Sequence, residues 1–187
     1  MSFWTEATSE PKRNFRFQVQ ITGFDSDSIV WWAKNFKTPS YDVSETTHDY
    51  LDNKYYFPGR LTWADCTMTL VDPVSPNAAA LTNNIILRSG YNVKGKNTTP
   101  STMGKANSVA AVGSVITTIF NADGVEIEKW TLQNSYLKGA TYSTLDYAND
   151  ELRTIDLTWR YDWAECDNAD ETKAAFRDQF RVPPSTT

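Results

Sequence analysis

The sequence predicts a mainly β fold: two packed antiparallel sheets (a β-sandwich or partly closed barrel), with one flanking helix and a long protruding hairpin. Three observations support this fold class. Aromatic residues make up 13% of the 187 residues, and aromatic rings pack well on the pleated surface of strands. Segments near both ends of the chain alternate strictly between apolar and polar residues, which is the strand period. One segment near the middle has helical spacing and capping residues.

The beginning of the chain predicts a polar arm followed by two strands. Residues 1–13 are polar apart from Phe3 and Trp4, and we interpret them as an N-terminal arm. The first strand follows, and its apolar face comprises Phe15, Phe17, Val19 and Ile21. Residues 29–37, with the sequence IVWWAKNFK, predict a second strand that ends before a proline.

Residues 40–60 predict a long hairpin that reaches away from the core. The segment is polar, extended and rich in tyrosine, and Asp52-Asn53 is suited to a turn. Its apolar residues are too scattered to bury a whole face, and exposed strands of this kind commonly pair with another chain. We therefore expect the hairpin to contact another subunit. The predicted contact residues are Tyr41, Val43, Glu45, His48, Tyr50, Leu51, Tyr55, Tyr56 and Phe57.

The middle of the chain predicts a strand and then the single helix of the fold. Residues 61–71 have the strand period. One face of this strand comprises Cys66, Met68 and Leu70. The helix covers about residues 75–89, because Ser75 can cap its start, a proline follows at the first helical position, and Gly90 can close its end. Its apolar face comprises Ala78, Leu81 and Ile85.

The C-terminal half predicts a loop, a second hairpin, a long strand and a tail. Residues 91–111 are rich in Gly, Asn, Ser and Thr and predict a long loop. Residues 112–120 and 125–132 predict strands joined by a turn that contains Asp-Gly. Residues 152–163 alternate strictly and predict one last strand. We interpret residues 164–187 as a C-terminal extension.

The charge balance argues against tight binding of nucleic acid. The chain has 23 acidic and 18 basic side chains, for a formal net charge of −5. Proteins that hold duplex DNA neutralise its phosphates with Lys and Arg, and the sequence has no dense basic run. An acidic protein can nevertheless lie beside DNA that moves past it, because like charges repel the passing polyanion.

The two cysteines and the lack of long apolar runs indicate the environment in which the protein folds. The spacing of Cys66 and Cys166 does not indicate a disulfide, so we expect two reduced thiols, as in proteins assembled in a cytosol. The N-terminal segment lacks the apolar core of a signal peptide. No apolar run approaches the roughly 20 residues of a membrane span, so we expect no membrane insertion.

The sequence contains no convincing catalytic or metal site, and we expect neither enzymatic activity nor a cofactor. His48 is the only histidine, which excludes a metal site with two imidazoles and leaves one candidate for a catalytic triad. It lies among polar residues that cannot exclude water. The densest acidic group is in residues 146–151, but it lacks the alternating ligands and central glycine of a calcium loop.

Two adjacent tryptophans indicate a contact outside the core. Trp31 and Trp32 lie in a predicted strand, so their side chains point to opposite faces. One of them can enter the core. The other must face solvent, a ligand or a neighbouring subunit, and we favour a subunit or ligand contact over plain exposure.

Several segments together resemble the tail tube proteins of T-even-type contractile phages. The residues that carry this resemblance begin with Asn14-Phe-Arg-Phe-Gln-Val and Lys37-Thr-Pro-Ser, and continue with Thr62-Trp-Ala-Asp-Cys-Thr-Met-Thr-Leu. Further along are Trp130-Thr-Leu-Gln-Asn-Ser-Tyr-Leu-Lys-Gly-Ala, Leu145-Asp-Tyr-Ala-Asn-Asp-Glu-Leu and Ile155-Asp-Leu-Thr-Trp-Arg-Tyr-Asp-Trp. The resemblance covers residues 14–163, which we interpret as one β domain. No single motif is diagnostic; the ordered set is similar to the family, and residues 91–111 and the tail depart from it.

The resemblance implies a virion protein that is made and assembled in the cytoplasm of a host bacterium. It implies hexameric rings that stack head to tail, with the hairpin reaching the next ring. Sheath protein, a baseplate initiator and a tape-measure protein are the implied partners, and DNA would pass through the lumen without tight binding. Within this assembly Phe3 and Trp4 would anchor the arm on a neighbour, and Trp31 or Trp32 would contact a subunit.

Two alternatives remain open at this point. Tubes of type VI secretion systems and of extracellular contractile injection systems share the lineage that the resemblance implies. A carbohydrate-binding β-sandwich, with Trp31 or Trp32 as a stacking platform, is an alternative from a different class.

Overall fold

The computed structural model describes residues 11–23, 32–75, 77–91, 102–148 and 150–168, which form ten strands and two helices. In chain order the first strands are β1 (Phe17–Ile21), β2 (Ala33–Phe36), β3 (Tyr41–Tyr50), β4 (Asn53–Trp63) and β5 (Cys66–Val71). The helices α1 (Ala78–Arg88) and α2 (Lys105–Val112) follow. The remaining strands are β6 (Val115–Phe120), β7 (Glu126–Gln133), β8 (Tyr136–Tyr142), β9 (Thr154–Arg160) and β10 (Trp163–Asn168).

The strands form two four-stranded sheets and a separate hairpin. The first sheet has the order β1-β6-β7-β10, the second has the order β2-β5-β9-β8, and β3 pairs with β4 alone. Every pairing is antiparallel. The predicted class, a mainly β protein with antiparallel sheets in a partly closed arrangement, is confirmed.

One apolar core joins the two sheets, and its centre lies on β5 and β9. These strands place buried side chains directly opposite each other, in the pairs Cys66–Trp159, Met68–Leu157 and Leu70–Ile155. The first sheet contributes Val19, Ile21, Val115 and Leu132 to the same cluster. Burying a large aliphatic side chain contributes about 1.5–3 kcal/mol, so this cluster is the main source of the stability of the fold.

The first strands differ in detail from the prediction. Val19 and Ile21 are fully buried as predicted, but Phe15 precedes β1 and is 74% exposed. In the second strand only Ala33–Phe36 form a ladder within the described residues. The predicted strand at 61–71 is two strands, because residues up to Trp63 belong to β4 and the core-facing strand begins at Cys66.

The last predicted strand changes sheets partway along. The second sheet keeps β9 only as far as Arg160, and β10 then pairs with β7 in the first sheet. Tyr161 is buried at the crossing, and the Asp162 N–H donates a hydrogen bond to the Gln133 carbonyl at 3.1 Å. Alternation continues through the crossing, so the pattern gave no signal of the break. Paired structure therefore extends past residue 163, where the β domain was predicted to end.

Helix α1 forms where it was predicted, but a different residue caps it. The Asn77 side chain, and not Ser75, accepts a hydrogen bond from the Ala80 N–H at 2.9 Å. The helix ends at Arg88, and Gly90 follows with a φ of 100°. Its inner face comprises buried Ala78 and Ile85, with Leu81 packed against the core.

The prediction of one helix and one long loop was wrong, because residues 105–112 form α2. This helix buries Ser108, Ala111 and Val112 and contacts α1 and β8. Its sequence, KANSVAAV, has only small side chains on the buried face and no side-chain cap, so it lacks the usual signals of an amphipathic helix. Strand β8 was also not predicted, although it forms an edge of the second sheet. Neither described helix is long and apolar enough to cross a membrane.

Candidate assembly surfaces

The β3–β4 hairpin has almost no core of its own. Every residue of β3 is exposed, and so is every residue of β4 except Trp63. The predicted contact residues Tyr41, Val43, Glu45, His48, Tyr50, Leu51, Tyr55, Tyr56 and Phe57 are therefore all at the surface. Leu51 occupies the turn with a φ of 55° and is 85% exposed. So many exposed aromatic and aliphatic side chains on one element are typical of an interaction surface.

The strand register gives the hairpin two different faces. Near the tip, Phe57 pairs opposite Thr46 and Tyr55 opposite His48, and both pairs share a face with Tyr50. Near the base, the apolar side chains lie on the other face. They are Tyr41, Val43, Leu61 and Trp63.

A bulge in β4 separates the base of the hairpin from its tip. The register shifts between Val43 and Glu45. There the Arg60 N–H donates to Ser44 Oγ at 2.9 Å, and Ser44 Oγ lies 3.2 Å from the Arg60 carbonyl. A Cβ on Gly59 would lie 2.4 Å from Ser44 Oγ, so a larger residue at this position would require Ser44 to shift. Bulges bend a strand and increase its twist, so this one sets the direction of the tip.

Aromatic contacts attach the base of the hairpin to the core. Trp63 packs against Tyr41 with ring centroids 5.2 Å apart and against buried Tyr161 at 5.8 Å. Burial raises the pKa of the Tyr161 hydroxyl, so it stays protonated at neutral pH. The base of the hairpin is therefore packed against the core.

A charged cluster reinforces the base of the hairpin from β8 and β9. Lys138 Nζ donates to Asp65 Oδ2 at 2.6 Å, and Arg160 Nη1 donates to both Asp65 Oδ1 at 3.0 Å and the Trp63 carbonyl at 2.9 Å. The hydrogen bond from Lys138, aided by Arg160, holds the pKa of Asp65 below its ordinary value. Nearby, hydrogen bonds from Lys105 and Asn134 lower the pKa of Asp162. The pairs with Asp65 tie β8 and the end of β9 to the β4–β5 junction, and the pair with Asp162 ties α2 to the segment between β9 and β10.

The two large sheets leave four strands with an unpaired edge among the described residues. These edge strands are β1, β10, β2 and β8. An open edge presents free backbone donors and acceptors to another chain. No sequence pattern distinguishes these edge strands from central ones, because the order of strands in a sheet is set by long-range pairing.

A basic groove, which the sequence did not predict, lies between β1 and β2. Its volume is about 970 Å³. The charged side chains that line it are Lys12, Arg13, Lys34, Lys37 and Glu128. Lys12 pairs with Glu128. Burial alone would raise the pKa of Glu128, but the hydrogen bonds from Lys12 and Trp130 leave it below its ordinary value. The cations come from segments far apart in sequence, so no basic run marks the groove.

The remaining predicted contact residues have different placements. Phe3, Trp4 and Trp31 lie outside the described residues. Trp32 is 6% exposed and belongs to the core, so it is not available to a neighbouring subunit or to a sugar ring.

The described residues contain no cluster of three or more side chains suited to hold a metal ion. His48 is exposed on the hairpin, at a cross-strand position opposite Tyr55. Cys66 is buried in β5, where burial raises the pKa of its thiol, and Cys166 lies on exposed β10; no disulfide joins them. Asp146 and Asp150 are exposed in the loop between β8 and β9.

Comparison with known proteins gives a likeness of fold. No protein-family model and no curated protein matches the chain. A chain of the anti-feeding prophage baseplate matches with a TM-score of 0.62 and 12% identity, over 87% of this chain and 99% of that chain. A chain of the sheath–tube complex of PVC, an extracellular contractile injection system, matches with a TM-score of 0.58 and 16% identity, over 90% of this chain and 99% of that one.

A third match is Hcp1 from Salmonella typhimurium, with a TM-score of 0.50 and 9% identity, over 81% of this chain and 85% of that chain. The sequence identities are low, so what the three matches share with this chain is its fold. The chain thus has the fold found in components of contractile injection systems, in agreement with the lineage that the sequence resembles.

Proposed function

We propose that this chain is a structural subunit of a contractile tail tube, which polymerises into stacked hexameric rings with a central lumen. The observation that carries the proposal is the β3–β4 hairpin, which is exposed at every position except Trp63 although it carries four tyrosines and a phenylalanine. A hairpin without a core is marginal by itself, so a long one is expected to gain its stability from a neighbour.

The open edges and the fold likeness support the same proposal. Ring closure would let the edge strands of one subunit meet those of the next, which removes the risk of uncontrolled pairing. Sheath, a baseplate initiator and a tape-measure protein are the proposed partners, with the virion as the proposed location. A ring of six would carry a formal charge of about −30, given −5 per chain, so its lumen would not hold DNA by phosphate neutralisation.

Electron microscopy of the concentrated protein tests polymerisation directly. We expect rings with six-fold symmetry, or tubes built of stacked rings. A strictly monomeric protein, even when baseplate and sheath components are supplied, would rule the proposal out.

A shortened hairpin tests whether the hairpin carries the stacking contact. Deletion of residues 45–58 keeps the Val43–Leu61 pair and the bulge residues next to it. Because the deleted residues are exposed, we expect the variant to fold with a melting temperature close to that of the parent and to form no stacked tubes. Tubes of normal length from this variant would contradict the assignment of the hairpin.

A tube of an extracellular contractile injection system is a second candidate, favoured by the fold likeness to the anti-feeding prophage and PVC chains. In that case the lumen would serve a cargo other than a phage genome. Capsid and terminase genes beside the gene for this chain would fit the phage tube. A complete neighbouring cluster with sheath and baseplate genes but without capsid and terminase genes would fit the injection system.

A further inference from the structure

We propose that the basic groove between β1 and β2 is the acceptor site for the β3–β4 hairpin of a second copy of this chain. This inference rests on the proposed self-assembly and adds to it the surface that receives the hairpin. It makes the contact head to tail, because the hairpin and the groove are different surfaces of the same subunit.

Unbalanced positive charge is the first property that suits the groove to this role. Of its four cations, only Lys12 has an acidic partner among the described residues, and that partner is Glu128. Arg13, Lys34 and Lys37 have no ion pair within the part of the chain that the structure describes, and all three are exposed. Three uncompensated cations around one groove are unusual in a chain of formal charge −5, and they favour an acidic occupant.

Exposed aromatic surface is the second property of the groove. Phe15 lines it and is 74% exposed, and Phe17 and Phe36 line it half-buried. Aromatic rings that meet across an interface stabilise it beyond the apolar area that they bury. The groove therefore favours an occupant that carries aromatic side chains as well as negative charge, and its edge strands offer free backbone groups to an extended segment.

The hairpin has the complementary properties. It carries four acidic side chains, Asp42, Glu45, Asp49 and Asp52, against two cations, Lys54 and Arg60. The Asp49–Lys54 pair is a loose one, at 4.0 Å between highly exposed side chains. Near the tip Tyr56 shares a face with Glu45 and Asp49, whereas Tyr50, Tyr55 and Phe57 lie on the opposite face. One face of the hairpin thus offers acidic and aromatic groups together, as the groove offers basic and aromatic groups.

The geometry of the hairpin requires that the groove belong to another copy. The root of β3 follows closely after Lys37 and Thr38, which line the groove of the same chain. A strand of ten residues extends about 33 Å at the usual rise per residue. The paired hairpin is too stiff to fold back on its own root, so its tip lies out of reach of its own groove and can enter that of a neighbour.

Charge reversal tests the pairing, with the full-length protein and sedimentation or electron microscopy as the readout. Lys34→Glu with Lys37→Glu should raise the protein concentration needed for tube formation at least tenfold, and so should Glu45→Lys with Asp49→Lys on the hairpin. Arg88→Glu, on the exposed end of α1, is the matched control and should leave assembly unchanged. The four substitutions combined in one chain should restore assembly, because the charges are again complementary.

Mixing the two reversed proteins adds a test that an unfolded variant cannot imitate. The native hairpin of the groove variant complements the native groove of the hairpin variant, and the two reversed surfaces complement each other, so the mixture should form tubes under conditions in which neither variant forms them alone. A photo-crosslinking residue at position 56 of the parent, on the face of Glu45 and Asp49, should join peptides that contain residues 11–17 or 33–38 of a second copy. Crosslinks confined to other peptides would overturn the inference.

The outcomes separate the two proposals. If the parent protein does not associate under any condition, the proposed function fails. If the parent forms tubes and both reversed variants form them equally well, the tube assignment stands and the groove is not the acceptor.

Discussion

Two antiparallel ladders in this protein, β3–β4 and β5–β9, have the same backbone pairing and opposite surroundings. In β5–β9 the alternate side chains Met68 and Leu157 lie opposite each other and are fully buried. In β3–β4 the opposed Thr46 and Phe57 are both exposed. Hydrogen bonding is similar in the two ladders, so the difference in stability comes from apolar area removed from water.

One chain thus combines a stable body, formed by the two four-stranded sheets, with a hairpin suited to contact other subunits. The body uses strict alternation to fill one core, so its polar faces are left for solvent or for neighbours. The hairpin carries apolar side chains on both faces, and within the described residues no layer covers either face. We therefore expect the hairpin residues to matter more for assembly than for folding of the single chain.

A truncation in the core should have the largest effect on the free energy of unfolding, and a truncation on the hairpin should have a much smaller one. Leu157→Ala should lower the free energy of unfolding by about 2–5 kcal/mol, because it removes buried methyl groups and leaves a cavity. Phe57→Ala, at an exposed position, should lower it by less than about 1 kcal/mol and yet impair assembly. Urea denaturation of the monomer gives both values; equal destabilisation would mean that the hairpin contributes to the core after all.

A smaller effect is expected at Asp65, which links the root of the hairpin to β9. Its pKa is held low by Lys138 and Arg160 in the folded state. A lowered folded pKa contributes stability that is present above the ordinary value near 4 and is lost as the pH falls through the folded value. We expect Asp65→Asn to cost about 1 kcal/mol at pH 7, and nothing at a pH below both pKa values.

Thermal denaturation of Asp65→Asn and the parent from pH 7 down to pH 2 measures this difference. The two melting curves should converge as the pH falls. A constant gap across the range would show that the carboxylate charge is not the source of the effect. Glu45→Gln on the hairpin is the matched control, and it should shift the melting temperature little at any pH because its carboxylate is exposed.

A substitution in the bulge should change the stability of the monomer still less, but it should disrupt assembly. Gly59→Ala would place a methyl group 2.4 Å from Ser44 Oγ and 3.0 Å from the Ser44 carbonyl oxygen, so Ser44 must shift, and we expect the direction of the tip to change with it. We expect a change of less than about 0.5 kcal/mol in the monomer and a loss of regular tubes. The double variant Gly59→Ala, Ser44→Ala removes the closest atom, and partial recovery of assembly would support the steric explanation.

The reactivity of the Cys66 thiol measures how often the β5–β9 core opens in the native protein. Cys66 is fully buried, and burial raises the pKa of its thiol, so few molecules present a reactive thiolate. In a Cys166→Ser background we expect a disulfide-exchange reagent to label Cys66 only after the protein unfolds. Rapid labelling under native conditions would mean that the β5–β9 core opens locally far more often than its packing implies.

Local patterns determined much of the fold. Alternation identified the buried sets of β1, β5 and β9, and the Asp-Gly turn identified the β6–β7 hairpin, where Gly124 has a φ of 77°. The long hairpin was placed correctly from its lack of a continuous apolar face. These features depend on neighbouring residues, and a period of two or a turn residue can be identified without knowing what lies opposite.

Other features depended on contacts that no local pattern contains. The sequence by itself determined a β protein with a buried alternating core, an acidic surface and a hairpin without a core. Only the tertiary structure decided that the last strand crosses between sheets at Tyr161, that α2 forms on small residues packed against α1, and that Lys12, Arg13, Lys34 and Lys37 meet in one groove. The reason is physical: strand order, helix docking and the clustering of charges are fixed by pairings between residues far apart in the chain, and their energies arise only when those residues meet.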